Sequence, residues 1–192
     1  MPSCLVLLVL FLLLVLPSRT ALVSSLSMTS PQSQPPVTLR ALSVPDEDVL
    51  LCFGIRRRVF IDEQGVPEEV EMDANDRTAT HVLATSEGKA VGAARIVVLH
   101  IREGGELGDG VRVGKIGRVC VVPEMRGRGF GRSLVRFAVD ELRKTLGEGG
   151  TAMLGAQVHA MGFYEGMGFE AIPGDEYMDA GGVPHRDMEL TL

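Results

Sequence analysis

The chain has 192 residues, 45% of them hydrophobic, which is enough for one ordinary domain with a substantial core. The net charge of -6 at pH 7 argues against a nucleic-acid-binding domain, because such domains carry a basic surface. Any phosphate group would therefore bind at a local site. The three cysteines and four histidines have no disulfide or zinc-ligand spacing, so no metal site is expected.

Residues 1–36 are predicted to be a targeting leader. Residues 4–16 form an unbroken apolar run, shorter than the ~20 residues of a membrane-spanning helix and typical of a signal peptide. Residues 17–36 are rich in Ser, Thr and Pro and lack acids, as transit peptides do. We expect entry into the secretory pathway without a stable membrane anchor, followed either by plastid import through a bipartite leader or by secretion.

Residues 37–192 are predicted to form one mixed α/β domain. A helix is expected over 48–60, and the clearest helix lies at 131–146, where apolar residues recur on one face. The polar tract 62–78 and the Gly-rich tract 102–115 are expected to be irregular. A short helical piece is expected at 159–168, and strands are expected at 37–43, 80–85, 90–101, 115–122, 151–158, 169–172 and 185–192.

The turn RGRGFG at 126–131 joins a predicted strand to the helix 131–146. Its glycines let backbone N–H groups approach an anion, and its arginines add positive charge next to the positive end of the helix dipole. We therefore predict a pyrophosphate site. The turn matches neither the Walker nor the Rossmann glycine pattern. The alternative is a helix entry whose arginines are simply solvated.

The spacing of Arg126, Gly129 and Gly131 resembles the acyl-CoA loop of the GNAT superfamily of N-acyltransferases, and GAQVHAMGFYEGMGFEAI resembles its next strand–helix–strand segment. Together with RRVFIDEQGVP, the Asp76 and His81 pair, IGRVCV and GGVPHRDMEL, these motifs are similar to ElaA-type acetyltransferases over residues 38–192. The resemblance implies a mostly antiparallel, twisted sheet that is splayed at the acetyl-CoA site and flanked by helices.

The same resemblance implies roles for individual residues. Tyr164 would be the general acid for the departing thiolate. From its position next to the same short helix, His159 is expected to orient that helix and not to act as a base. Cys120 would be a strand residue and not a nucleophile. Gln157 stands where the family often has Asn. The residues expected to bind acetyl-CoA are Val119, Cys120, Val121, Arg126, Gly127, Arg128, Gly129, Phe130, Gly131, Arg132, Ser133 and Gln157.

The general base is less clearly indicated, because the strand at 115–122 carries no acid. Glu63 is the first candidate, and Asp73, Asp76 or His81 could act instead through water. Each of these could also be a structural hydrogen-bonding group. The arginines at 56–58 are expected to be a solvated helix face or to meet an acidic acceptor.

We therefore expect an N-acetyltransferase that moves an acetyl group from acetyl-CoA to a primary amine of a small molecule or peptide. Direct attack in a ternary complex needs no enzyme nucleophile, and no nucleophile–base motif is visible. Two alternatives remain at this point. One is an acyl-CoA sensor without turnover, and the other is a secreted interaction domain whose Arg/Gly turn binds nothing.

Overall fold

A computed structural model describes residues 36–101 and 111–192, which form a mixed α/β fold. Strand β1 (Val37–Leu42) precedes helix α1 (Val49–Arg56), which continues as a π-helical segment (Arg57–Glu63). The helix α2 (Glu68–Glu71) and a 3-10 turn (Ala74–Arg77) follow. The remaining elements are β2 (Thr80–Ser86), β3 (Lys89–Ile101), β4 (Val111–Val121), a 3-10 turn (Pro123–Met125), α3 (Phe130–Leu146), β5 (Thr151–Gln157), a 3-10 turn (Val158–Ala160), α4 (Met161–Glu165), β6 (Glu170–Ala171), β7 (Tyr177–Met178) and β8 (Pro184–Thr191).

The strands form one sheet in the order β1-β2-β3-β4-β5-β8-β6, and β7 also pairs with β8. Every pairing is antiparallel except that of β4 with β5, which is parallel. The parallel pair is joined through α3, as a strand–helix–strand crossover requires. The predicted mostly antiparallel sheet flanked by helices is confirmed.

The sheet opens between β4 and β5. The two strands pair only where Val113 to Lys115 of β4 face residues 151–153 of β5, although both strands continue further. On its other side, β4 contains a bulge, because its register with β3 shifts between Gly117 and Cys120. Arg118 in this bulge has a φ of 54°. A bulge bends its strand and increases the local twist, so it directs β4 away from β5.

Helix α3 packs against this sheet with the apolar face expected from its sequence. Its buried residues include Leu134, Val135 and Leu142. The helix approaches β4 closely at Gly114, where an added Cβ would lie 2.6 Å from Cδ1 of Leu142. Glycine is therefore required at this position by the close approach of the helix.

Several boundaries differ from the expectations. Strand β4 begins at Val111 and not at 115, and the first helix continues to Glu63. The tract 62–78, expected to be irregular, contains α2 and a 3-10 turn whose carboxylates are buried against distant arginines. Residues 1–35 of the predicted leader lie outside the described residues. Among those residues, no helix has the length and apolar character needed to cross a membrane.

Candidate active site

A cavity of about 450 Å³ lies where β4 and β5 separate. One wall is β4 and the facing wall is β5, so the cavity occupies the gap in the sheet. The π-helical segment and α2 close one side, and the segment from β7 to β8 closes the other. Its lining residues are Phe60, Gln64, Val66, Val70, Glu71, Lys115, Ile116, Gly117, Arg118, Val119, Leu154, Gly155, Gln157, Ala160, Tyr164, Tyr177, Asp179, Ala180, Val183 and His185.

The Arg/Gly turn leads from β4 into α3, as the sequence predicts. Gly127 and Gly129 have φ values of 72° and 84°, in the left-handed region that favours glycine. Gly129 is the N-cap, and the Ser133 N–H donates to its carbonyl at 3.1 Å. The preceding amides of Phe130, Gly131 and Arg132 lack partners within the helix and can bind an anion. Ser133 can contribute only its hydroxyl group.

Some side chains expected at the coenzyme are committed elsewhere. Phe130 is buried in the core, so only its backbone can reach a ligand. Cys120 is also buried, and burial raises the pKa of its thiol to about 12, which agrees with a strand residue and not a nucleophile. The Arg132 guanidinium donates to the Gly166 carbonyl at 2.9 Å and so ties α3 to the end of α4. Arg128 is exposed, and Val119 and Val121 are partly buried.

Glu63 does not occupy the place expected of a general base. Its carboxylate forms two hydrogen bonds with Arg126, of 2.7 Å to Nη1 and 2.6 Å to Nη2. Arg126 also donates from Nε to the Val121 carbonyl at 3.0 Å. The hydrogen bonds from Arg126 lower the pKa of Glu63, because they favour its ionised form. Glu63 is therefore an ion-pair partner of Arg126, and it does not line the cavity.

Asp73 and Asp76 also have structural partners. Arg56, expected to be solvated, is fully buried and bonds Asp76 Oδ1 from Nη1 at 2.6 Å. Arg95 bonds both carboxylates, at 2.8 Å and 2.9 Å from Nη1. Burial raises the pKa of Asp76, but hydrogen bonds from Arg56 and Arg95 outweigh it and bring the pKa to about 2. Both aspartates are thus weak candidates for a base.

His81 is buried beside the same cluster. Its Nε2 lies 2.9 Å from the Asp76 carbonyl, and its ring contacts Phe53 edge to face at a centroid distance of 5.2 Å. Burial lowers the pKa of His81, so the imidazole is held neutral. The ring does not line the cavity, and its contacts are those of a structural residue.

Glu71, which sequence reasoning missed, lines the cavity but has both carboxylate oxygens occupied. Oε1 accepts from Arg56 Nε at 2.6 Å, and Oε2 lies 2.9 Å from Arg118 Nε. Arg118 also donates from Nη2 to the Val70 carbonyl at 2.9 Å. These bonds hold the bulge of β4 in its strained conformation. The polar tract gave no local signal for them, because the partners are remote in sequence.

Tyr164 lines the cavity from α4. Its ring contacts Phe163 and Phe169 edge to face, at centroid distances of 4.9 Å and 6.0 Å. Burial raises the pKa of Tyr164 to about 12, so the phenol is protonated at neutral pH. Gln157 also lines the cavity, and its Nε2 lies 3.4 Å from Oε1 of Gln64 at the end of the π-helical segment.

The segment from β7 to β8 adds further cavity residues that the sequence did not single out. The Tyr177 hydroxyl donates to Asp187 Oδ1 at 2.9 Å, and its ring stacks on His185 at a centroid distance of 6.0 Å. Asp179 Oδ1 accepts from the backbone N–H of Val183 at 2.8 Å. The motif GGVPHRDMEL contains His185, yet only its place in the folded sheet reveals that the histidine faces the cavity.

Comparisons with known proteins agree with this fold. A family model described as an acetyltransferase (GNAT) domain matches residues 41–192. The uncharacterized N-acetyltransferase YjcF of Bacillus subtilis is 31% identical over 153 residues, covering 78% of this chain and 98% of YjcF. Protein ElaA of Escherichia coli is 30% identical over 136 residues, covering 70% of this chain and 81% of ElaA.

Solved structures show the same similarity. The crystal structure of E. coli ElaA has a TM-score of 0.65 at 25% identity and covers 80% of this chain and 99% of ElaA. Arabidopsis thaliana Naa50, in complex with the bisubstrate analogue CoA-Ac-MVNAL, shares the fold with a TM-score of 0.60 at 20% identity, covering 81% of this chain and 99% of Naa50. The chain belongs to the GNAT family and is an acyltransferase. Its resemblance to the ElaA type is confirmed.

Proposed function

We propose that the protein transfers an acetyl group from acetyl-CoA to a primary amine of a small molecule or peptide, by direct attack within a ternary complex. The observation that carries the proposal is the opening in the sheet. Beyond Lys115, β4 has an edge that is not paired with β5, and residues 116–119 of this edge line the cavity opposite β5. A free strand edge offers backbone donors and acceptors to an extended group such as a pantetheine arm.

The Arg/Gly turn fits the diphosphate of the coenzyme. The first amides of α3 are free of helical partners, and Arg128 is exposed beside them. The Arg126 guanidinium is held by Glu63 and by the Val121 carbonyl, so a diphosphate would compete with Glu63 for it. An added Cβ at Gly127 would meet nothing within 4 Å, so the space in front of the turn is open. Naa50, which shares the fold, is in complex with an analogue that joins CoA to a peptide, and this supports both the coenzyme and an amine acceptor.

The cavity residues can supply the proton chemistry of the reaction. As the amine nitrogen bonds to the thioester carbon, the carbon–sulfur bond breaks and negative charge develops on sulfur. Tyr164 carries a proton at neutral pH and can donate it to that sulfur. Backbone N–H groups on the free edge of β4 can donate to the carbonyl oxygen as it gains charge.

The test is a thiol-release assay of the full chain with acetyl-CoA and a panel of primary amines, with mass spectrometry of the acetylated product. Tyr164→Phe removes only the hydroxyl group, so we expect a loss of about 10²–10⁴-fold in single-turnover rate. Acetyl-CoA affinity, measured by calorimetry, should stay nearly unchanged. An unchanged single-turnover rate would assign the donor role to another group, and a parallel loss of affinity would make Tyr164 a binding-site wall.

The same assay separates the alternatives. A sensor would bind acetyl-CoA but would not release thiol, whichever amine is added. An interaction domain would not bind the coenzyme at all. We also propose that residues 1–36 are a targeting leader for the secretory route. Fusing residues 1–36 to a fluorescent protein tests this, because uniform cytosolic fluorescence would contradict it.

A further inference from the structure

The proposed reaction needs a group that takes a proton from the attacking amine, and most carboxylate oxygens near the cavity already have partners. Glu63 is paired with Arg126, and Glu71 has one arginine on each oxygen. Asp179 lines the cavity, but its Oδ1 accepts the Val183 N–H at 2.8 Å and that of Gly181 at 3.0 Å. Of these carboxylate oxygens, only Oδ2 of Asp179 has neither a hydrogen bond nor an arginine partner among the described residues, and it lies 3.7 Å from Nδ1 of His185, so the imidazole beside it is the stronger candidate for the proton acceptor.

His185 has the required position. It lies in β8 directly opposite Gln157, the last residue of β5, and it lines the cavity together with Tyr164. The phenol of Tyr164 and the imidazole of His185 therefore line the same cavity between β4 and β5. Imidazole is the most frequent general base in enzymes.

The hydrogen bonds of His185 also fix which nitrogen can accept a proton. Nδ1 lies 2.9 Å from the Val183 carbonyl, and because a carbonyl oxygen only accepts, Nδ1 must carry the hydrogen of this bond. The neutral ring then has its lone pair on Nε2. In the described part of the chain, Nε2 forms no hydrogen bond with protein, so its lone pair is available to a ligand.

Charged and aromatic groups lie around this ring. Asp179 Oδ2 lies 3.7 Å from Nδ1. The Tyr177 ring stacks on the imidazole at a centroid distance of 6.0 Å, and its hydroxyl donates a hydrogen bond to Asp187. The cations Lys115 and Arg118 line the same cavity from β4, with Arg118 neutralised by acidic partners.

We propose that His185 is the general base of this enzyme, with Nε2 taking the proton of the attacking amine; this rests on the function proposed above. The amine nitrogen forms a bond with the thioester carbon, and the carbon–sulfur electron pair leaves with sulfur. Sulfur receives a proton from Tyr164 while Nε2 receives one from the amine. One proton is taken and one is given, so both side chains return to their starting forms by exchange with solvent.

The experiment uses the full chain with acetyl-CoA and one active amine under single-turnover conditions. His185→Gln should lose about 10²–10⁴-fold in rate, as removal of a general base does, while acetyl-CoA affinity is kept. His185→Ala should regain rate as free imidazole is added, because the small base fits the space left by the ring. The Gln variant fills that space and should not respond to imidazole. A matched control is His100→Ala, an exposed position on β3 outside the cavity, which should keep the wild-type rate.

The possible failures are distinct. A full single-turnover rate in folded His185→Gln, with the wild type active, overturns the role of His185 and leaves the acetyltransferase proposal intact. A loss of rate in both variants with no response of the Ala variant to imidazole also overturns it, because the ring would then be structural. If the wild type acetylates no amine although it binds acetyl-CoA, the proposed function falls and this inference falls with it.

Discussion

Arg56→Met is expected to destabilise the domain far more than Arg57→Met, although the two arginines are adjacent. Arg56 is fully buried and bonds both Glu71 and Asp76, so its removal leaves two buried carboxylates without their shared partner. Breaking a buried ion pair from one side costs about 3–5 kcal/mol. Arg57 is about half exposed and pairs with an exposed Glu68, and such pairs contribute about 0–1 kcal/mol.

These free energies correspond to a difference in Tm between the two variants that is large enough to measure by thermal unfolding. At about 2–4 °C per kcal/mol for a domain of this size, Arg56→Met should lower Tm by roughly 6–20 °C and Arg57→Met by at most ~4 °C. Circular dichroism melts at pH 7 make the comparison. Equal Tm values for the two single variants would refute the buried-pair argument.

Three further predictions concern the coenzyme turn, acid stability and the domain boundary. Gly129→Asp should weaken CoA binding at least tenfold, ~1.4 kcal/mol, because a carboxylate would face the phosphates. The φ of 84° at this position also favours glycine over aspartate. A wild-type affinity for CoA, measured by calorimetry, would contradict the diphosphate site. The pKa of Asp76 is about 2 in the folded protein, below the ordinary value of 3.8 that it has in the unfolded chain. Ionised Asp76 therefore stabilises the fold above about pH 4, and this contribution is lost as the pH falls from about 4 to 2. Asp76→Asn should therefore make the free energy of unfolding depend less on pH between about pH 4 and 2. An unchanged pH dependence of the urea unfolding midpoint would contradict this. A chain that begins at Pro36 should be soluble and unfold in one cooperative transition, whereas aggregation or a broad melt would argue that earlier residues are needed.

The sequence predicts well what short-range patterns determine. Helix α3 was expected at 131–146 and spans Phe130–Leu146, because its apolar residues repeat with the helical period and Gly129 precedes it. The strand that ends at Val121 was expected from its β-branched residues, and the Arg/Gly turn was expected from its glycines. Each of these signals lies within a few residues of the element that it specifies.

Features that depend on distant partners could not be predicted in this way. The bulge at Arg118 becomes visible only in the register of β4 against β3. Glu71 lies in a tract whose composition is typical of a loop, yet it is buried because Arg56 and Arg118 reach it from other elements. His185 sits in a predicted strand, and its contact with the cavity depends on pairing with Gln157. Long-range pairing decides all three positions.

The acidic cluster links the stability of the domain to the shape of the cavity. Arg56 holds Glu71, and Glu71 with Asp73 holds Arg118, the residue whose bulge lets β4 leave β5. A carboxylate that neutralises the buried guanidinium of Arg56 and the partly buried one of Arg118 is not free to accept a proton from a substrate, because protonation would take a partner from both cations. The acids of this segment therefore hold the bulge of β4 in place, and the proposed mechanism assigns proton transfer to a neutral acceptor on the opposite wall. An imidazole whose Nδ1 is already bonded to a backbone carbonyl meets that requirement without disturbing the ion pairs.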